Sequence, residues 1–137
     1  MASDGAIVGT YIWDYAGDMQ FLKYFWDSVV NIDPAASEIH ESVRFAKFDS
    51  ELIGSLYESA GLHNVEIEKL EIKTVFESFA HYWQPFLGGQ GPGPTYVQSL
   101  DEKVRVKLVE DLKRSLPFSN SGAIELVATA WAAKSYA

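Results

Sequence analysis

The stretch that most limits what this chain can fold into is Asp4 to Tyr15, DGAIVGTYIWDY. An Asp4-Gly5 turn leads into Ala6, Ile7, Val8, Tyr11 and Ile12, which are apolar in both registers of a period-two pattern. Such a run, bounded by a glycine turn, reads as a strand buried on both faces of an α/β sheet. Ligands of open α/β sheets bind beyond the carboxyl ends of the strands. Trp13, Asp14 and Tyr15 therefore stand where a site is expected. A strand of central character opens the sequence, so its usual neighbours are not among the residues that follow.

The remaining chain alternates helices and strands. Asp18 is a candidate helix N-cap. Met19, Leu22, Phe25, Trp26, Val29 and Val30 then recur at three- and four-residue spacing, an amphipathic helix ending near Asn31. Asp33-Pro34 punctuates, with Pro34 at a first helical position, and PAASEIHES reads as a short helix. Ser50-Glu51 opens a clearer helix, closed at Ala60 with Gly61 as a left-handed cap. Val65, Ile67 and Leu70 alternate with charged residues, and Ile72 and Val75 follow with altered spacing: a strand with one solvated face and an expected bulge. Phe76–Phe86 is dense in aromatics, and Gly88–Pro94, GGQGPGP, reads as a loop. Leu100–Leu116 is the longest helix, and Ala123–Ala133 a last strand buried on both faces. The two earlier strands, joined through helices, are expected to run parallel. The last strand, the most apolar, is expected between them, giving an α/β sheet of three strands in the order first, last, middle.

The length of 137 residues fits a single domain spanning 1–137, with room for a sizeable core. A net charge of −8 with no basic stripe argues against nucleic acid and anionic membrane surfaces as partners. The absence of cysteine excludes disulfides and thiolate metal sites and agrees with a reducing compartment. MASDGAIVG has no basic n-region, and no apolar run approaches a membrane span, so the expected location is cytoplasmic. Aromatic residues make up 14% of the chain, a density that either fills a core or lines an apolar pocket.

Two groups of residues are candidates for binding a substrate. Trp13, Asp14 and Tyr15 could line an acceptor pocket, with Asp14 accepting or orienting a proton; alternatively the rings are core and Asp14 caps a turn. His81, Tyr82, Trp83 and Phe86 could form a lid over an apolar ligand beside the Gly88–Pro94 loop; alternatively they pack on the sheet as a satellite aromatic cluster. Asp33, Glu38, His40 and Glu41 have the composition of a metal site, but helical spacing spreads them around the axis, which favours a solvated face. His63 reads as a solvent-side turn residue. GGQGPGP carries no Lys-Ser/Thr and does not sit in a strand–turn–helix context, so it is not a phosphate loop. No catalytic residue set can be named, neither Ser-His-Asp nor Cys-His nor a carboxylate pair.

The blocks GTYIWDYAGDMQFLKYFWD (9–27), DPAASEIHESVRF (33–45), AGL (60–62), FAHYWQPFLGGQGPGPTYV (79–97) and IELVATAWA (124–132) are spread over essentially the whole chain. In them the sequence resembles the C-terminal half of a class I S-adenosylmethionine-dependent methyltransferase, of the ubiquinone/menaquinone-type or generic small-molecule group. The resemblance implies a partial Rossmann-like sheet, its strands equivalent to the fifth, sixth and seventh of that family, with the last antiparallel and inserted between the other two. It also implies that the first four strands, the Gly-rich loop and the acidic residue that binds the cofactor ribose have no counterpart in these residues. On that reading S-adenosylmethionine serves the full-length family but is not bound by this chain alone. The chain is then a substrate-side half of a methyltransferase, inactive by itself. A sheet cut there exposes one edge of the first strand, an aggregation template unless covered. A homodimer through that edge or the adjacent helices is the expected cover. The alternative is a non-catalytic, homodimeric small-molecule-binding module with an aromatic pocket.

Overall fold

The computed structural model describes Ser3 and residues 5–137; Asp4, half of the expected opening turn, lies outside the described residues. Three strands, β1 (Ile7–Trp13), β2 (His63–Phe76) and β3 (Ile124–Tyr136), form one sheet in the order β1-β3-β2. β3 is antiparallel to both neighbours, pairing Tyr11 with Ala132 on one side and Glu68 with the same alanine on the other. β1 and β2 consequently run in the same direction, as expected for strands joined through helices. The strand order and the antiparallel central strand match the expectation from sequence.

Helices cover the sheet from both faces, because side chains alternate along β3. Ile124 and Leu126 face one way, into a core built with Phe25, Trp26 and Val29 of α1 (Gln20–Ile32) and Leu108 and Leu112 of α6 (Glu102–Ser115). The i, i+3, i+4 spacing of the α1 residues makes a single buried stripe, and the i, i+4 pair on α6 packs against it. Trp131 and Ala133 face the other way. They meet Ile53 and Tyr57 of α3 (Ser50–Ser59), together with Val8, Ile12, Val65 and Ile67. The Tyr57 hydroxyl donates to Thr10 Oγ1 at 2.9 Å and ties α3 to the β1 edge.

Several local expectations are corrected. β1 is not buried on both faces: it is an edge strand, with Ile7 67% and Tyr11 80% exposed. Asp18 does not cap α1; the helix begins after Met19 without a side-chain cap. The Asp18 carbonyl instead accepts the Thr129 N–H, and the Gln20 side-chain carbonyl accepts the Val127 N–H at 2.8 Å, so both residues tie the helix start to β3. The irregularity in β2 falls between His63 and Glu66, where Asn64 has φ 54°, and the register is unbroken from Glu66 to Phe76. Leu70 and Ile72 therefore turn to the face opposite Val65 and Ile67, where they are half exposed. GGQGPGP is loop only to Gly91; Pro92 starts α5 (Pro92–Ser99), since proline at a first helical position gives up no needed donor. The segment 33–45 folds as a 3-10 turn (Pro34–Ile39) followed by α2 (Glu41–Arg44), and His40 and Glu41 are buried rather than solvated. The aromatic segment forms α4 (Phe79–Trp83) and a second 3-10 turn, Gln84–Leu87.

Candidate functional site

β1 and β2 end on the same side of the sheet; a short turn leads from β1 into α1, and the segment after β2 packs on α1 through Phe86. After β1, Asp14 is buried and fully engaged. Its Oδ1 accepts the Gly17 N–H at 3.0 Å, its Oδ2 accepts the Thr129 hydroxyl at 3.4 Å, and Lys69 Nζ lies 2.8 Å from Oδ2. The Asp14 hydrogen bond holds the Lys69 ammonium above its ordinary range, partly opposed by desolvation. Asp14 thus caps a turn and anchors an ion pair. Trp13 closes β1 opposite Ala130 and is half-buried. Tyr15 stacks on Phe45 with centroids 4.8 Å apart. Burial raises the Tyr15 phenol pKa, and the negative charge of Glu41 adds to the rise.

After β2, the aromatic segment wedges into the core. Phe86 is buried between Phe25 (4.2 Å) and Phe21 (4.8 Å), stacked on both. Tyr82 is buried, its hydroxyl donating to the Phe21 carbonyl at 2.8 Å, and desolvation pushes that phenol far above the ordinary range. Trp83 stacks on Phe79, and His81 meets the edge of Phe76 while its Nδ1 accepts the Glu77 N–H. Of these four, Phe86 lines a pocket. Tyr82 packs against Phe86 within the core, and His81 and Trp83 are not in the pocket wall.

The pocket has a volume of about 240 Å³, with walls from Phe21, Leu22, Pro85 and Phe86 and a rim from Gln90 to Pro94. One ionisable side chain, Glu41, is in its wall. Glu41 Oε2 accepts the Trp26 indole N–H at 2.9 Å, and no ion pair to Glu41 exists among the described residues. The approach is close at the rim: a Cβ on Gly93 would stand 3.2 Å from the Phe86 ring. Of the candidates read from sequence, the structure puts Phe86 in the pocket wall and leaves Trp13, Asp14, Tyr15, His81, Tyr82 and Trp83 outside it. Glu41 was not singled out by sequence as a pocket residue. Its partner Trp26 is fifteen positions away, and no local spacing reveals that pairing.

Asp14, the carboxylate that follows β1, has its oxygens taken by Gly17, Thr129 and Lys69. The positive-φ glycines Gly89 and Gly91 follow a 3-10 turn rather than a strand. No group of three or more candidate metal ligands occurs among the described residues. No protein-family model matches the chain, and no curated protein matches it.

Proposed function

We propose that this chain binds and orients the acceptor substrate for a small-molecule, S-adenosylmethionine-dependent methyltransferase, with the donor site supplied by residues outside this sequence. The observation that carries the proposal is the position of the Phe21–Phe86–Glu41 pocket. Its walls come from the first turn of α1, which follows β1 in the chain, and from the aromatic segment that follows β2, the segments from which α/β sheets build ligand sites. The resemblance set out above supplies the reaction class. The part of this chain in it is to hold an acceptor in a largely apolar cleft with one ionisable group to fix its direction; methyl transfer gains most from such positioning. Calorimetric titration of S-adenosylmethionine into the isolated chain tests the division of labour. No heat of binding is expected, and micromolar binding would overturn it.

A second reading has its own observation. The outer edge of β1 has no strand partner among the described residues. An apolar groove of about 250 Å³ runs beside it, lined by Tyr11, Ile12, Phe48, Ile53 and Leu56. An uncovered edge next to an apolar groove favours association, by strand pairing or by helix packing. On this reading the chain works as a homodimeric binding module, and the same pocket serves a ligand without chemistry. Sedimentation equilibrium at micromolar concentration separates the two: a mass of one chain would remove the dimer.

A further inference from the structure

The polar content of the pocket is uneven. Its walls are rings, aliphatic carbons and proline, with the exposed Gln90 at the rim, and against them stands a single ionisable side chain, Glu41, that is more than nine-tenths buried. Removing a carboxylate from water is costly unless charge or hydrogen bonds compensate. Here the compensation is partial. The indole N–H of Trp26 takes one oxygen, while the other takes no donor from the described residues and stays in contact with solvent. The neighbouring His40 cannot help, because its Nε2 faces Asp27 and its Nδ1 accepts from Ser42. That solvent-reached oxygen belongs to a side chain in the pocket wall, and a group arriving in the pocket can replace the water on it.

The space is an open cleft, and its volume sets what it can hold against its walls rather than what can reach it. A cavity of roughly 150 Å³ holds benzene, so about 240 Å³ accommodates one ring with a short side arm. The wall chemistry asks for an apolar ring face, given the Phe21 and Phe86 rings, and the carboxylate asks for a donor, best a charged one.

We propose that the pocket is selective for a compact ring-bearing amine, whose ammonium pairs with Glu41 while its ring lies against Phe21 and Phe86. This rests on reading the pocket as the ligand site, and it names the class of molecule that site takes. The Trp26 N–H occupies one carboxylate oxygen, and the other is the one the ligand meets.

The test uses the whole chain and two probes of equal size, benzylamine and benzyl alcohol, followed by the Trp26 indole N–H resonance in a heteronuclear NMR titration. Benzylamine is expected to shift that resonance and to bind at least about tenfold tighter than the alcohol, as charged hydrogen-bond partners exceed neutral ones. Glu41→Gln is expected to abolish the preference while both probes still enter. Should Glu41→Gln fail to fold by circular dichroism, Trp26→Phe serves with one-dimensional ligand-detected NMR: it keeps the carboxylate and must keep the amine preference. Equal binding of the two probes to the native chain would overturn the amine proposal and leave the pocket reading intact. Binding of neither would overturn both. Loss of the preference in folded Trp26→Phe would also overturn it.

Discussion

Lys69 reaches from β2 across the central strand to place its Nζ 2.8 Å from Asp14 Oδ2, passing over the Trp131 ring on the way. The pair links the two outer strands of a sheet in which they never touch directly. Asp14 is buried and Lys69 half exposed, so the two ends are unequal. Removing the carboxylate strips Gly17, Thr129 and Lys69 of one shared acceptor. Asp14→Ala is expected to cost about 3 kcal/mol, in the range for breaking a buried charged network. Lys69→Met leaves Asp14 its other two donors and is expected to cost about 1 kcal/mol. Urea unfolding of both variants decides this; equal costs would mean that the lysine, not the turn, is the main contribution.

Gly17 has a related constraint. A Cβ there would stand 2.2 Å from Asp14 Oδ2, too close for any side chain while the carboxylate keeps its place. Gly17→Ala is therefore expected to destabilise by about 2 kcal/mol, as for other substitutions that displace a buried hydrogen-bonded group. The cost should largely vanish in the Asp14→Ala background, since the obstacle has gone. A double-mutant cycle by urea unfolding measures that coupling, and additive costs would contradict the geometry.

Much of the fold was legible in the sequence, and the reasons are local. The 3-4 spacing of Phe25, Trp26 and Val29 announces α1, Gly61 marks the end of α3, and the apolar run at 124–133 identifies the central strand. What was not legible is set by distant partners. The apolar pattern of Ile7 and Tyr11 speaks of burial, but exposure depends on which strand lies alongside, and no strand pairs with that edge among the described residues. Asp18 has the chemistry of a cap, yet Asp14 closes the turn just before it and the helix starts later. At the site, the aromatic density of 76–86 was visible, but which rings fill the core and which face a pocket follows from the stack of Phe86 on Phe25 and Phe21. Glu41 sat in a segment read as solvated because its indole partner belongs to another helix.

Phe86 carries both packing and pocket wall, which predicts a double effect. Phe86→Ala removes a ring stacked at 4.2 Å on Phe25 and is expected to cost about 4 kcal/mol, typical of a buried phenylalanine. Trp83→Ala, outside the pocket wall, is expected to cost less and to leave ring binding unchanged. Thermal unfolding with the benzylamine titration checks both; unchanged stability in Phe86→Ala would place that ring outside the core.

Tyr11 is 80% exposed on the free edge of β1. If two copies meet there, a lysine on the edge introduces repelling charges at the seam and blunts strand pairing. Tyr11→Lys is then expected to shift the sedimentation profile from dimer to single chain without loss of secondary structure. A native chain already sedimenting as one copy, or a dimer indifferent to the substitution, would rule out this edge as the seam.

The alkaline limb of stability follows from groups whose pKa values are raised on folding. Burial holds the Tyr82 phenol far above its ordinary value of 10.0. Burial and the hydrogen bond to Asp33 push Tyr96 up to about 12. The Asp14 contact raises Lys69 above 10.5. For each, the folded state holds its proton at a pH where the unfolded chain releases it. The stabilisation from these groups is complete below pH 10 and is lost progressively as pH rises through the folded values. Tyrosinate absorbance of the native chain should therefore show Tyr82 and Tyr96 lagging behind the exposed phenols, while in urea all tyrosines titrate together. Tyr96→Phe should make the fall in stability between pH 10 and about 12 shallower, with little change at neutral pH. A single native titration step near 10, with circular dichroism unchanged, would show that neither hydroxyl is held as the structure places it.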